Sequence, residues 1–149
     1  MSTLQLRFDP EDEWHGQLVA TVSSEGFAGR ASAWFATDEI RRFSHALAAY
    51  PLQREALPFI SGGFGSEPGA PEPEQVHLAM GVAPHDTRGT LRFTVRLATE
   101  VWGTEDGDLG CNATIRFVTT YNEIGPFAAA MLGLVEGQFD EAILQTALE

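Results

Sequence analysis

The sequence predicts an α+β fold in one domain of 149 residues, a mostly antiparallel sheet of about six strands with two helices packed on one face. Three observations predict it. Residues 90–102, TLRFTVRLATEVW, alternate apolar and polar side chains, which is the period of a half-buried strand. Residues 38–50, DEIRRFSHALAAY, and 122–134, NEIGPFAAAMLGL, write nearly the same helix twice, 84 positions apart. Each copy follows three strand-like segments. The chain therefore divides into two βββα halves, 1–64 and 76–149, joined by the flexible Gly-, Pro- and Glu-rich connector 65–75, GSEPGAPEPEQ.

Each element has a local reason. LQLRF (4–8) alternates, and DPEDE (9–13) is an acidic turn. QLVATV (17–22) and FAGRASAWF (27–35) are strands joined by the turn signal SSEG. Thr37 suits an N-cap, Asp38 and Glu39 suit the positive end of a helix, and Ile40, Phe43, Leu47 and Tyr50 recur at helical spacing. Pro51 stops that helix. LPFISGGF (57–64) holds a short strand. After the connector, VHLAMGV (76–82) alternates, APHDTRG (83–89) turns, GTEDGDLG (103–110) is a hairpin loop, and NATIRFVTTY (112–121) leads into the second helix. Asn122 is placed to cap it, with Pro126 in the first turn where proline is tolerated. The tail FDEAILQTALE reads equally as helix or strand.

The repeat also orients the strands. Aligning Phe35 with Phe117 across a two-residue gap points Ala31, Ala33, Ala113 and Ile115 at the helices. The opposite face then carries Arg30, Ser32, Trp34, Thr114 and Arg116, joined by Arg92, Thr94 and Arg96. His77 falls there too if Leu78 and Met80 face the core. Acidic residues cluster instead in 9–13, 67–74, 100–108 and 136–141. The expected surface is an arginine face containing one tryptophan inside an acidic rim. Arg30, Trp34, His77, Arg92, Arg96 and Arg116 are the candidate binding residues, because arginine grips carboxylates bidentately and Trp and Arg anchor interfaces. A solvated sheet face paired with nearby acidic loops is the plainer alternative.

Charge narrows the partners. Twenty-one acids against nine arginines and no lysine give a net charge of −12, which disfavours nucleic acid and anionic membrane and favours a basic protein partner. No signal-peptide pattern opens the chain, the longest apolar stretch (126–135) is too short to span a bilayer, and the single Cys111 fits a reducing compartment. A cytoplasmic location is the expectation.

Motifs for chemistry are weak. His15, His45, His77 and His85 lack zinc spacing, although His77, His85 and Asp86 form a conceivable trio. EDGDLG (105–110) approximates a calcium loop but lacks the closing glutamate, Phe117 standing in its place. GGFGSEPG (62–69) lacks the lysine and the following helix of a phosphate cradle. No GxSxG elbow occurs, and Cys111 sits among acidic neighbours that do not activate a thiol. The sequence assigns no cofactor and no metal, and it carries no catalytic motif; an enzyme whose site is assembled from distant residues stays open.

Three stretches, GFAGRASAWFATDEIRRFSHALAAYPL, HLAMGVAPHDTRGTLRFTVRLAT and IRFVTTYNEIGPFAAAMLGLVEG, carry a resemblance over most of the chain. The pattern resembles a group of small bacterial proteins, some of them similar to immunity proteins encoded beside polymorphic or wall-associated toxins. The resemblance implies an α+β fold and, for some relatives, toxin neutralisation by direct binding. It carries no site residues across. The expectation is a non-enzymatic interaction protein that binds a basic toxin, or pairs with itself as a homodimer. The alternative is a small module that binds an anionic ligand on the Arg/Trp face.

Overall fold

A computed structural model describes residues 1–65, 67–103 and 107–147. The chain runs β1 (Ser2–Pro10), β2 (His15–Ser24), β3 (Phe27–Ala36), α1 (Thr37–Leu47), β4 (Phe59–Phe64), β5 (Gln75–Pro84), β6 (Thr90–Ala98), β7 (Asn112–Thr120), α2 (Tyr121–Val135) and β8 (Ala142–Thr146). The class is α+β, but the single sheet of about six strands is replaced by two antiparallel four-stranded sheets, ordered β3-β2-β1-β8 and β4-β5-β6-β7. The physical reason is coverage. Helices of 11 and 15 residues cannot shield the apolar face of one broad sheet. Two sheets turned toward each other bury those faces mutually, with the helices sealing what is left.

The core is one cluster. It takes Leu4, Leu6, Leu18, Ala20 and Phe35 from the first sheet, Leu78, Met80, Phe93, Val95 and Phe117 from the second, and Ile40, Phe43, Phe127 and Met131 from the helices. Phe93 stacks on Phe117 with ring centroids 5.4 Å apart and meets Phe127 edge-on at 6.1 Å, so the second sheet and α2 share an aromatic centre.

The two halves correspond in register. α1 begins after Ala36 and α2 after Thr120, again 84 positions apart, so the strands entering the helices match without a gap. Phe35 therefore corresponds to Thr119, and the expected pairing of Phe35 with Phe117 shifts by two residues with its inward direction unchanged. The equivalence extends to the first strands of each half. Pro10 and Pro84 end them, and Asp12 and Asp86 follow in the turns. Asp12 Oδ1 accepts hydrogen bonds from the amides of Trp14 and His15, both at 2.8 Å; Asp86 Oδ1 accepts from those of Arg88 at 2.8 Å and Thr90 at 3.3 Å. These backbone donors hold both exposed carboxyls below the usual aspartate range.

The last strand of each half crosses over. β4, which follows α1, joins the edge of the second sheet against β5, while β8, which follows α2, joins the edge of the first against β1. Ile60 and Gly62 of β4 thus correspond to Ala142 and Leu144 of β8. The ambiguous tail is a strand for this reason: Ala142, Leu144 and Thr146 are buried at period two.

Helix starts differ from expectation. Ala36, not Thr37, is the N-cap of α1; it offers no side chain, and its amide instead donates to Glu39 Oε1 at 3.0 Å. The Thr37 hydroxyl points back to the carbonyls of Glu13 (3.1 Å) and Trp14 (3.4 Å), tying the β1–β2 turn to the helix. Thr120, not Asn122, caps α2, its hydroxyl accepting from the Glu123 amide. The β2–β3 hairpin turns on Glu25 and Gly26, both with positive φ, as a two-residue hairpin loop requires.

Candidate functional site

Four of the six candidate binding residues share a face. On the second sheet the core side takes Leu78, Met80, Phe93, Val95, Ile115 and Phe117, so His77, Arg92, Arg96 and Arg116 project from the other side. Arg116 lies opposite Thr94, and Arg92 and Arg96 flank Thr94 on β6. Arg92 and Arg96, about 13 Å apart along the strand, thus bracket Thr94 in the groove, while Arg116 borders a separate hollow with Glu25 and Phe27. Arg30 and Trp34 do not join them. They project from the outer face of the first sheet, where Arg30 pairs in register with Thr21 and Trp34 with Gln17. Period two assigned each residue to an outer side correctly, but two sheets have two outer sides, facing opposite ways.

The arginine face has an apolar floor. β5 contributes Ala79, Gly81 and Ala83, whose small side chains leave a groove of about 250 Å³ walled by Leu57, Pro58 and Phe59 on one side and Arg92, Thr94 and Arg96 on the other. Phe59 takes the place expected for Trp34. A larger cleft of about 520 Å³ lies on the far side of the same wall, between α1 (Glu39, Arg42, Phe43, Ala46), β4 and residues 67–73. Arg96 lines the groove and Glu72 lines the cleft, and the two are joined: Nη1 donates to Oε1 at 2.8 Å and Nη2 to Oε2 at 3.5 Å. That fork-to-fork geometry suits Arg with a carboxylate.

His77 is a structural residue. It is 1% exposed, its ring meets Phe64 edge-on at 4.4 Å, and its Nε2 donates to Gln75 Oε1. The Gln75 amide is oriented by Val101, whose N–H donates to Oε1 at 2.8 Å and whose carbonyl accepts from Nε2 at 3.1 Å. Gln75 Oε1 accepts only, so the proton sits on His77 Nε2. His77 therefore locks the connector side of the sheet and does not open onto the groove. The trio of His77, His85 and Asp86 does not form, since Asp86 caps its own turn. Among the described residues no group of three His, Cys, Asp or Glu side chains comes together to hold a metal. Of the calcium-loop stretch, Glu105 and Asp106 lie outside the described residues, and Gly107–Leu109 forms a single 3₁₀ turn.

A second surface was not assembled by sequence reasoning. The Thr37 bonds hold the acidic β1–β2 turn (Glu11, Asp12, Glu13) against the start of α1, which carries Asp38. Trp14 closes that turn, 61% exposed, and Trp34, 52% exposed, lies on the outer face two residues before Ala36, the register partner of His15. Glu141, ahead of β8, accepts instead from Gln5 in the middle of β1. The acidic runs were visible singly. The tie between turn and helix depends on Thr37, whose hydroxyl reaches back across a whole hairpin to Glu13 and Trp14.

No family model, characterised protein or solved structure matches the chain. Among the described residues no helix is long and apolar enough to cross a membrane.

Proposed function

We propose that this chain is a non-enzymatic interaction protein that binds a basic protein partner, in the manner of an immunity protein seated on a cationic toxin. One observation carries the reading: the acidic β1–β2 turn (Glu11, Asp12, Glu13) is tied to the acidic start of α1, beside exposed Trp14 and Trp34. Carboxylates steer a cationic partner, and tryptophans at the centre of a contact supply affinity. The test is titration of the purified chain with the basic toxin domain encoded beside its gene in the native host. Binding that weakens with salt and falls at least about tenfold in Trp14→Ala supports the reading. Absence of binding to any cationic partner at low salt removes it.

A second reading has its own support. The arginine face, with its apolar floor and wall, suits a small anionic ligand, and the residues that serve it are Arg92 and Arg96 with Phe59, in place of the Arg/Trp set. A thermal-shift screen against anionic metabolites separates the two readings. Stabilisation that disappears in Arg96→Ala favours this one.

A further inference from the structure

The Arg96–Glu72 pair stands where the groove and the cleft meet. Arg96 lies opposite Ala79 in register, and Ala79 lies opposite Ser61 on β4. Ala79 points outward with the arginines, yet it is only 1% exposed. Glu72 reaches Arg96 from the connector and, among the described residues, is the carboxylate that both lines a hollow and bonds a guanidinium of the groove. The pair is accessible, its side chains 41% (Arg96) and 36% (Glu72) exposed. An ion pair that wet is worth little, so an incoming anion exchanges with it at small cost. Glu72 is flanked by Pro71 and Pro73, and the Glu74 amide donates to the Gly65 carbonyl at 3.2 Å.

We propose that Glu72 is an internal occupant of an arginine site whose exchangeable ligand is a small carboxylate with a flat apolar body. The inference rests on the anionic-ligand reading and specifies it. The ligand carboxylate takes the Arg96 fork in place of Glu72, and its apolar body lies on Ala79, Gly81 and Ala83 against Phe59. Carboxylate chemistry is chosen because the group already seated on Arg96 is a carboxylate in two-point contact. A small, flat body is chosen because the groove is shallow, holds about 250 Å³ and has no polar side chain on its floor. A phosphate ester would answer to the same guanidinium groups, but a dianion gains less from an apolar bed.

The probe is 3-phenylpropionate, titrated into the full-length chain and followed by amide shifts in NMR, with 3-phenylpropionamide as its neutral counterpart and inorganic phosphate as the bare anion. Glu72→Gln removes the competing charge and keeps the side-chain volume. The expected result is binding about three- to tenfold tighter in Glu72→Gln than in the parent chain, lost in Glu72→Gln/Arg96→Ala and weakened in Arg96→Lys, which keeps charge without the fork. Amide and phosphate bind weakly or not at all. Equal affinity of parent and Glu72→Gln overturns the internal-occupant role and leaves the anion reading standing. Equal binding of acid and amide, or tighter binding of phosphate, overturns the ligand class. No binding of any probe to any variant overturns both. Arg7→Ala, on β1 of the other sheet and outside both hollows, keeps the Glu72→Gln gain and shows that loss of an arginine alone does not abolish the effect.

Discussion

Asp12 and Asp86 show how much one carboxylate does in a turn. Each closes its loop by accepting two backbone amides, and each is held below the ordinary aspartate range by those bonds. A carboxyl lowered in the folded state adds stability at pH above its unfolded value, and that contribution disappears as pH falls through the folded value. Asp86→Ala is therefore less stable than the parent at pH 7, and the difference narrows as the pH drops below about 4. Denaturant melts across that range check it, and a difference that stays constant with pH contradicts the assignment. The same residues mark what sequence reading missed. Pro10-Glu11-Asp12 and Pro84-His85-Asp86 stand at equivalent turns, but a three-residue turn carries too little pattern to be told from chance, unlike a helix matched over thirteen positions.

At the scale of elements, glycines show where strands and helices come closest. A Cβ on Gly62 of β4 meets the Phe35 ring at 2.7 Å and Ala33 Cβ at 2.9 Å, both in the core. A Cβ on Gly133 of α2 meets only the Phe139 ring, which is half-exposed and free to swing out. Gly62→Ala is expected to cost about 1–3 kcal/mol through overpacking, while Gly133→Ala, with its better helix former, costs less than about 1 kcal/mol. Urea melts of the two variants rank them, and the reverse order overturns this account of the packing. Elements themselves were largely legible, because alternation in β6 and the helical stripe of α1 are local properties. Their neighbours were not. Period two reports which side of a strand is apolar but never which strand lies beside it, so Arg30 and Trp34 were placed with Arg92, Arg96 and Arg116 although a whole core separates the two faces. Cap positions failed for a related reason: Thr37 and Asn122 have the right chemistry, but the chain was already helical at both.

On the scale of the whole molecule, crossed strands couple the halves. Each sheet takes its edge strand from the other half, so neither half contains a complete sheet. The chain is expected to unfold in one transition. Trp34 lies in the first sheet and Trp14 in its β1–β2 turn, while Trp102 contacts Phe64 at the end of the second. Variants retaining one tryptophan each report separately on the two sheets, and their fluorescence midpoints should coincide with loss of far-UV circular dichroism. Midpoints separated along the denaturant axis would show that the sheets melt independently. The crossing has a historical consequence as well. An ancestor of half this length could have completed its sheets only by trading edge strands with a twin. Joining two such chains end to end would turn that exchange between separate molecules into the crossing seen here within one, and would free each copy from having to match the other.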